Sequence, residues 1–204
     1  MSGMVDVSGE RIDGAKAITP ARFWHTFQTV SSGRYVSGGR HYWRPSSRTK
    51  EVLDKEIHLP GRQASGLLWL VAENLGLDYR REFFGYDVIF HSGHVQRGRW
   101  KQPADISVVL EHENDAKTSH HELYRLSLMA VPLKVLITYP EDFGDTGELL
   151  EWYLSVLDDA PVDPTGAFLV IFGVPERPRR TANWIAYEYS TENDTFDFLP
   201  ELSP

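Results

Sequence analysis

The chain has no cysteine among its 204 residues. Disulfides, thiolate metal sites and cysteine nucleophiles are therefore excluded, and any metal must take oxygen or imidazole ligands. No apolar run approaches the roughly 18 residues of a membrane span, and the first residues, MSGMVDVSGERIDG, lack a basic start followed by an apolar stretch. Neither a membrane segment nor a signal peptide is expected, and a cytoplasmic location is the default. There is no GxxxxGK[ST] phosphate loop and no GxSxG elbow, so P-loop nucleotide hydrolysis and serine esterase chemistry are not expected. His91, His94, His112, His120 and His121 lie close in sequence, but without HExxH or a comparable spacing, so a zinc site is not expected. His120 and His121, adjacent on an expected helix, should point in different directions. His91 or His94 can serve as a general base or a phosphate contact, or simply as turn histidines. No internal repeat and no low-complexity tract is found.

What is present is the composition of an ordinary globular chain, 41% apolar and 25% charged. Its length suits one folding unit, with residues 1–60 as an irregular, basic and aromatic extension and 61–204 as an α/β domain. The net charge of −8 is unevenly spread. Residues 141–204 hold 14 acids and 3 bases, a net of −11, which leaves +3 for residues 1–140. Residues 31–50 carry Arg34, Arg40, Arg44, Arg48 and Lys50 and no acid, interleaved with Tyr35, Tyr42 and Trp43. Such a stretch can hold phosphates and stack on bases, or it can be a solvated loop whose aromatics cover the core.

Hydrophobic spacing predicts a short helix over 21–30, with Phe23, Trp24 and Phe27 on one side, and a core helix over 65–75 closed by Gly76. Helical turns are expected within 47–55. Residues 86–90 read as a strand. The polar GHVQRGRWKQP then returns the chain, making 104–114 its antiparallel neighbour. A helix over 117–130, a strand over 133–139, a helix over 145–157 and strands over 167–174 and 183–189 follow. Phe196, Phe198 and Leu199 are expected to dock. The alternation predicts a mixed sheet with helices on both faces.

The stretch ADISVVLEHEN, residues 104–114, ends in two glutamates one residue apart. On a strand, Glu111 and Glu113 share a face, and His112 points the other way with Leu110, Val108 and Ile106. Asp87, near the start of one strand, and Glu111, near the end of its neighbour, can supply two carboxylates to a hard divalent cation. Alternatively, Asp87 is a turn-proximal surface residue and the two glutamates are the solvent side of a strand end. Asn114 is read as a cap or turn residue.

Helix, then Tyr86-Asp87, a turn, a strand ending Glu111-x-Glu113, an amphipathic helix and an apolar strand: this order resembles the PD-(D/E)xK nuclease superfamily over residues 65–140. The resemblance implies a restriction-endonuclease-like mixed β-sheet core flanked by helices on both faces. It also implies a nuclease hydrolysing phosphodiester bonds with Mg²⁺ or Mn²⁺. On that likeness Asp87 stands at the first metal-binding aspartate and Glu111 at the second acidic position. Glu113 takes the place of the usual lysine, as in some restriction endonucleases of the superfamily. Lys134 or Lys117 would supply a migrated cation, and Glu73 the further acidic residue that several branches place near the metals. Arg34, Arg40, Arg44, Arg97, Arg99 and Lys101 would meet the phosphates of nucleic acid, DNA more than RNA. Two alternatives stay open. One is a catalytically degenerate nuclease-like domain that binds nucleic acid or a protein partner, and the other is a structural module; a homodimer is compatible with each.

Overall fold

The computed structural model describes residues 18–32, 66–97, 100–160, 166–176 and 181–201. Arg34, Arg40, Arg44, the turns expected in 47–55, Arg99 and the side chains of Arg97 and Lys101 lie outside the described residues. The elements are α1 (Pro20–Ser32), α2 (Leu67–Leu75), β1 (Asp78–Phe83), β2 (Tyr86–His91), β3 (His94–Arg97), β4 (Trp100–Pro103) and β5 (Ile106–Glu113). They continue as α3 (Ser119–Ser127), β6 (Leu133–Thr138), α4 (Asp145–Asp159), β7 (Ala167–Glu176), β8 (Thr181–Ser190) and β9 (Thr195–Leu199).

Seven strands form one mixed sheet in the order β1-β2-β5-β6-β7-β8-β9, and β3 and β4 make a separate hairpin. β1, β2 and β5 run antiparallel to their neighbours, β5, β6 and β7 are parallel, and β8 and β9 are antiparallel again. Parallel neighbours need a crossover, and α3 and α4 provide the two that join β5 to β6 and β6 to β7. Such central strands are covered on both sides, which is why LKVLIT of β6 is buried at every position.

Alternation along the strands divides the core into two apolar layers. On one face Val88, Phe90, Val108, Leu110, Val135 and Ile137 meet Phe23, Trp24 and Phe27 of α1 and Leu68 and Val71 of α2. On the other face Ile89, Val109, Leu136, Val170 and Phe172 meet Leu123 and Leu126 of α3 and Leu149 and Tyr153 of α4. Each such large side chain contributes about 1.5–3 kcal/mol on burial. The molecule is thus an α/β fold of three layers. Helix α1, though it falls within residues 1–60, supplies a full share of the first layer. Among the described residues no helix is long and apolar enough to cross a membrane.

Three local features differ from the sequence expectation. Residues 94–103 form a hairpin, β3 with β4, rather than a plain return. Ile106 packs in the layer opposite to Val108, because the β2–β5 register shifts between Phe90 and His91. The segment holding Phe196, Phe198 and Leu199 is a strand in its own right, β9, paired along β8 at the sheet edge. Just beyond it the Trp24 indole N–H donates to the Pro200 carbonyl at 3.1 Å, joining α1 to the end of the sheet.

Gly173 of β7 has a steric reason to be glycine. A Cβ there would lie 2.6 Å from the Tyr139 ring and 2.9 Å from the Trp184 ring. Tyr139 in turn holds His112, its hydroxyl 2.8 Å from Nε2. Gly173→Ala is expected to cost about 1–3 kcal/mol through overpacking. A urea unfolding curve that matches the wild type would refute this account of the Tyr139–Trp184 contact.

Candidate functional site

The turn between β1 and β2 sets the first carboxylate. Phe84 and Gly85 both have positive φ, 52° and 85°, as a two-residue turn of mirror-image type requires. Asp87 follows as the second residue of β2. Val88 pairs with Leu110 and Ile89 with Val109, so one step further along this antiparallel register Asp87 stands opposite Glu111. One hydrogen bond joins them directly, and a second joins Asp87 to the residue after Glu111. The Asp87 N–H donates to Glu111 Oε2 at 3.3 Å, and the His112 N–H donates to Asp87 Oδ2 at 3.0 Å. Side-chain carboxylates take these two amides at the end of the ladder, and that brings the two acids together.

Glu111 is 1% exposed and faces the layer under α3. Arg125 of α3 reaches it, Nη2 to Oε1 at 3.2 Å, and also binds Glu122 Oε2 at 2.7 Å. The same guanidinium donates to the Gly85 carbonyl and lies over the Tyr86 ring, 5.2 Å from its centre. Arg125 therefore links helix, turn and strand. Burial and the neighbouring charges of Asp87 and Glu122 push the Glu111 carboxyl up to about 9, against the downward pull of Arg125 and the Asp87 amide. In the absence of a further cation the group holds its proton at neutral pH.

The other residues named from the sequence lie elsewhere. Glu113 turns into the loop after β5, where its Oε1 accepts the Asp115 N–H at 2.9 Å. Lys134 is buried at the start of β6 on the level of Val109. Its ammonium lies 5.0 Å from the centre of the Phe168 ring and against Gly166, toward β7, whereas Asp87 lies on the β2 side of β5. Lys117 is exposed and 3.5 Å from Glu141. Glu73 is exposed on α2, over the opposite face of the sheet from Glu111, because Leu68 and Val71 take the inward positions of that short helix. The structure thus unites Asp87 with Glu111 and brings to Glu111 a residue not singled out from the sequence, Arg125. An arginine at the edge of an amphipathic face carries no sign of its target. The only available signal was its three-residue spacing from Glu122.

The histidines also fall differently. His120 and His121 do not diverge; their rings lie 3.9 Å apart, and His120 stacks on Trp152 at 4.1 Å. Asp78, His91 and His94 offer one ligand atom each, all within 4.8 Å of one another, and they are the single three-ligand group of this kind among the described residues. Burial holds the His91 imidazole below its ordinary value, against the upward pull of the Gly93 carbonyl and Asp78. Beyond the C-terminal ends of β5 and β6 lies a cavity of about 360 Å³, lined by Asp115, Lys117, Glu141, Asp145, Glu148 and Trp152 among others. Its acidity has a partly structural explanation. Asp145 Oδ2 accepts the N–H groups of Glu141 and Asp142, and Asp142 Oδ1 accepts that of Asp145, closing the start of α4.

In comparisons with protein-family models, with curated proteins and with solved structures, nothing matches the chain.

The raised Glu111 value makes a stability prediction with a definite sign. The folded chain keeps this proton between about pH 4.5 and 9, where the unfolded chain has released it. The stability from this group is complete at the acidic end of that window and is lost as pH rises across it. Thermal midpoints of the wild type should fall from pH 5 to pH 9, and Glu111→Gln, which keeps the shape without titrating, should fall less. Equal slopes for the two proteins would remove Glu111 from the account.

Proposed function

We propose that the chain is a divalent-metal-dependent nuclease that hydrolyses phosphodiester bonds of nucleic acid on a restriction-endonuclease-like core. The observation that carries this reading is the union of Asp87 and Glu111 across β2 and β5. The order of elements around them adds support: α2, the β1–β2 hairpin, β5, α3, and β6 parallel to β5.

The residues present fit a hard cation. Mg²⁺ and Mn²⁺ ask for one or two carboxylates, with water and substrate phosphate completing the shell. Glu111 Oε1 is a buried oxygen that accepts no hydrogen bond, although Arg125 lies near it. Asp87 and Glu111 would hold the ion, which when bound lowers the pKa of water and stabilises charge on a phosphoryl oxygen. Glu113, two residues further along β5, has one carboxylate oxygen on the Asp115 N–H, and only its other oxygen would orient water. Arg125 brings to Glu111, from the helix, the positive charge that the family resemblance puts at position 113. Arg97, Arg99 and Lys101 in the sequence of the β3–β4 hairpin, with Arg34, Arg40 and Arg44, would meet the phosphate backbone.

One observation favours a second reading, a nuclease-like domain that binds nucleic acid or a protein partner without cutting. Glu111 is almost fully buried and already has a guanidinium counter-charge, so a metal must displace both a proton and part of that contact.

The two readings separate in one set of measurements. Purified chain with Mn²⁺ should cleave single-stranded DNA, duplex DNA or RNA, and Asp87→Ala should lower the rate by more than about a hundredfold, at least the loss seen when a metal's supporting shell is removed. Calorimetry in two buffers of different ionisation enthalpy should detect a proton released as Mn²⁺ binds. No cleavage and no Mn²⁺ binding, with nucleic-acid binding unchanged in Asp87→Ala, would establish the binding domain instead.

A further inference from the structure

We propose that Asp78, His91 and His94 form a second metal site, of zinc class, that ties the β3–β4 hairpin to the edge of the seven-stranded sheet. The three residues come from three strands. Asp78 opens β1 and is the register partner of His91, the last residue of β2. Ser92 and Gly93, the latter at φ 66°, turn the chain so that His94 opens β3 beside them. One ligand atom from each residue lies within 4.8 Å of the other two. The two imidazole rings stand at 90° with centres 5.0 Å apart, and His94 Nδ1 is 3.9 Å from Asp78 Oδ2.

His91 is built as a ligand. It is 2% exposed, and its Nδ1 lies 3.2 Å from the Gly93 carbonyl oxygen. A carbonyl only accepts, so this contact assigns the proton to Nδ1 and leaves the lone pair on Nε2. Metal-bound histidines are commonly oriented in this way, by donating the other ring N–H to a backbone carbonyl. The Gly93 oxygen also accepts the Ala104 N–H at 3.2 Å, which fixes the carbonyl itself. His94 and Asp78 have side chains 43% and 58% exposed, and can swing inward to bonds of about 2 Å. Two imidazoles and one carboxylate suit zinc and its neighbours in the transition series better than Mg²⁺ or Ca²⁺, and water fills the fourth position.

This site is separate from the carboxylate pair. Asp87 and His91 lie at opposite ends of β2, four residues or about 13 Å apart. The inference therefore stands independently of nuclease activity. A metal here would crosslink β1, β2 and β3, and so hold the hairpin whose sequence carries Arg97, Arg99 and Lys101.

Co²⁺ is a suitable probe because its visible absorption reports nitrogen and oxygen coordination. Full-length chain stripped with chelator and titrated with Co²⁺, then with Zn²⁺ in competition, should show one equivalent with a tetrahedral or five-coordinate spectrum, any further Co²⁺ on the all-oxygen carboxylate pair adding little visible absorption. His94→Ala and Asp78→Asn, at exposed positions that leave the core intact, should each weaken Zn²⁺ binding at least about a hundredfold, since loss of supporting residues alone costs 10–100-fold. Asp87→Asn should leave the spectrum unchanged. Binding that persists in His94→Ala and Asp78→Asn, or that disappears in Asp87→Asn, overturns the proposal, as does a folded wild type that takes up no Co²⁺.

Discussion

The contact between Arg125 and Glu111 governs how the β2–β5 end of the molecule is assembled. A buried carboxyl without a counter-charge or a proton is costly, and removing one partner of a fully buried pair typically costs about 3–5 kcal/mol. Here the glutamate keeps its proton and the arginine is partly exposed, so one long side chain reaches from solvent to the buried carboxyl without burying its own charge. The guanidinium also takes the Gly85 carbonyl and Glu122. Helix α3, the β1–β2 turn and the end of β5 are therefore positioned by a single group. The contact lies at the end of the antiparallel register that sets Asp87 beside Glu111.

Much of the fold was legible because its signals are periodic. The helix at Leu67–Leu75, with its C-cap at Gly76, the strand pair around Asp87 and Glu111, and the apolar runs of β6 and β7 all follow from hydrophobic spacing and turn residues. Alternation also gave the pairing of the two acids, since an antiparallel neighbour places the start of one strand against the end of the next. Three things had no such signal. β9 was legible only as three docking residues, Phe196, Phe198 and Leu199, because an edge strand needs to bury little of itself. The aim of Arg125 depends on the angle at which α3 crosses the sheet, which no spacing rule contains. The Asp78, His91 and His94 group arises from strand register and a glycine turn, with its ligands 13 and 3 residues apart, a pattern that matches no linear metal motif.

Charge is divided along the sheet in a way that composition alone did not reveal. The acidity of the C-terminal third is partly spent inside the structure, as at the start of α4, where Asp142 and Asp145 satisfy backbone amides. The cavity beyond β5 and β6 has four acids and one lysine in its lining, which disfavours phosphate there and suits cationic groups. The two ends of β2 differ in kind: carboxylates with an arginine at one, imidazoles with a carboxylate at the other.

The bond from the Trp24 indole to the Pro200 carbonyl spans 176 residues. It lies where α1 meets the chain just after β9, so the Trp24 end of the layer containing Phe23, Trp24 and Phe27 closes only when both are present. Contacts of such sequence separation slow folding, because loop entropy is lost before the contact is gained. During synthesis, Phe23 can pack on Phe90 once β2 has emerged, but Phe27 must wait for Trp184 and Trp24 for Pro200. Those two rings, uncovered in the interval, leave apolar surface open to aggregation until the last strands dock.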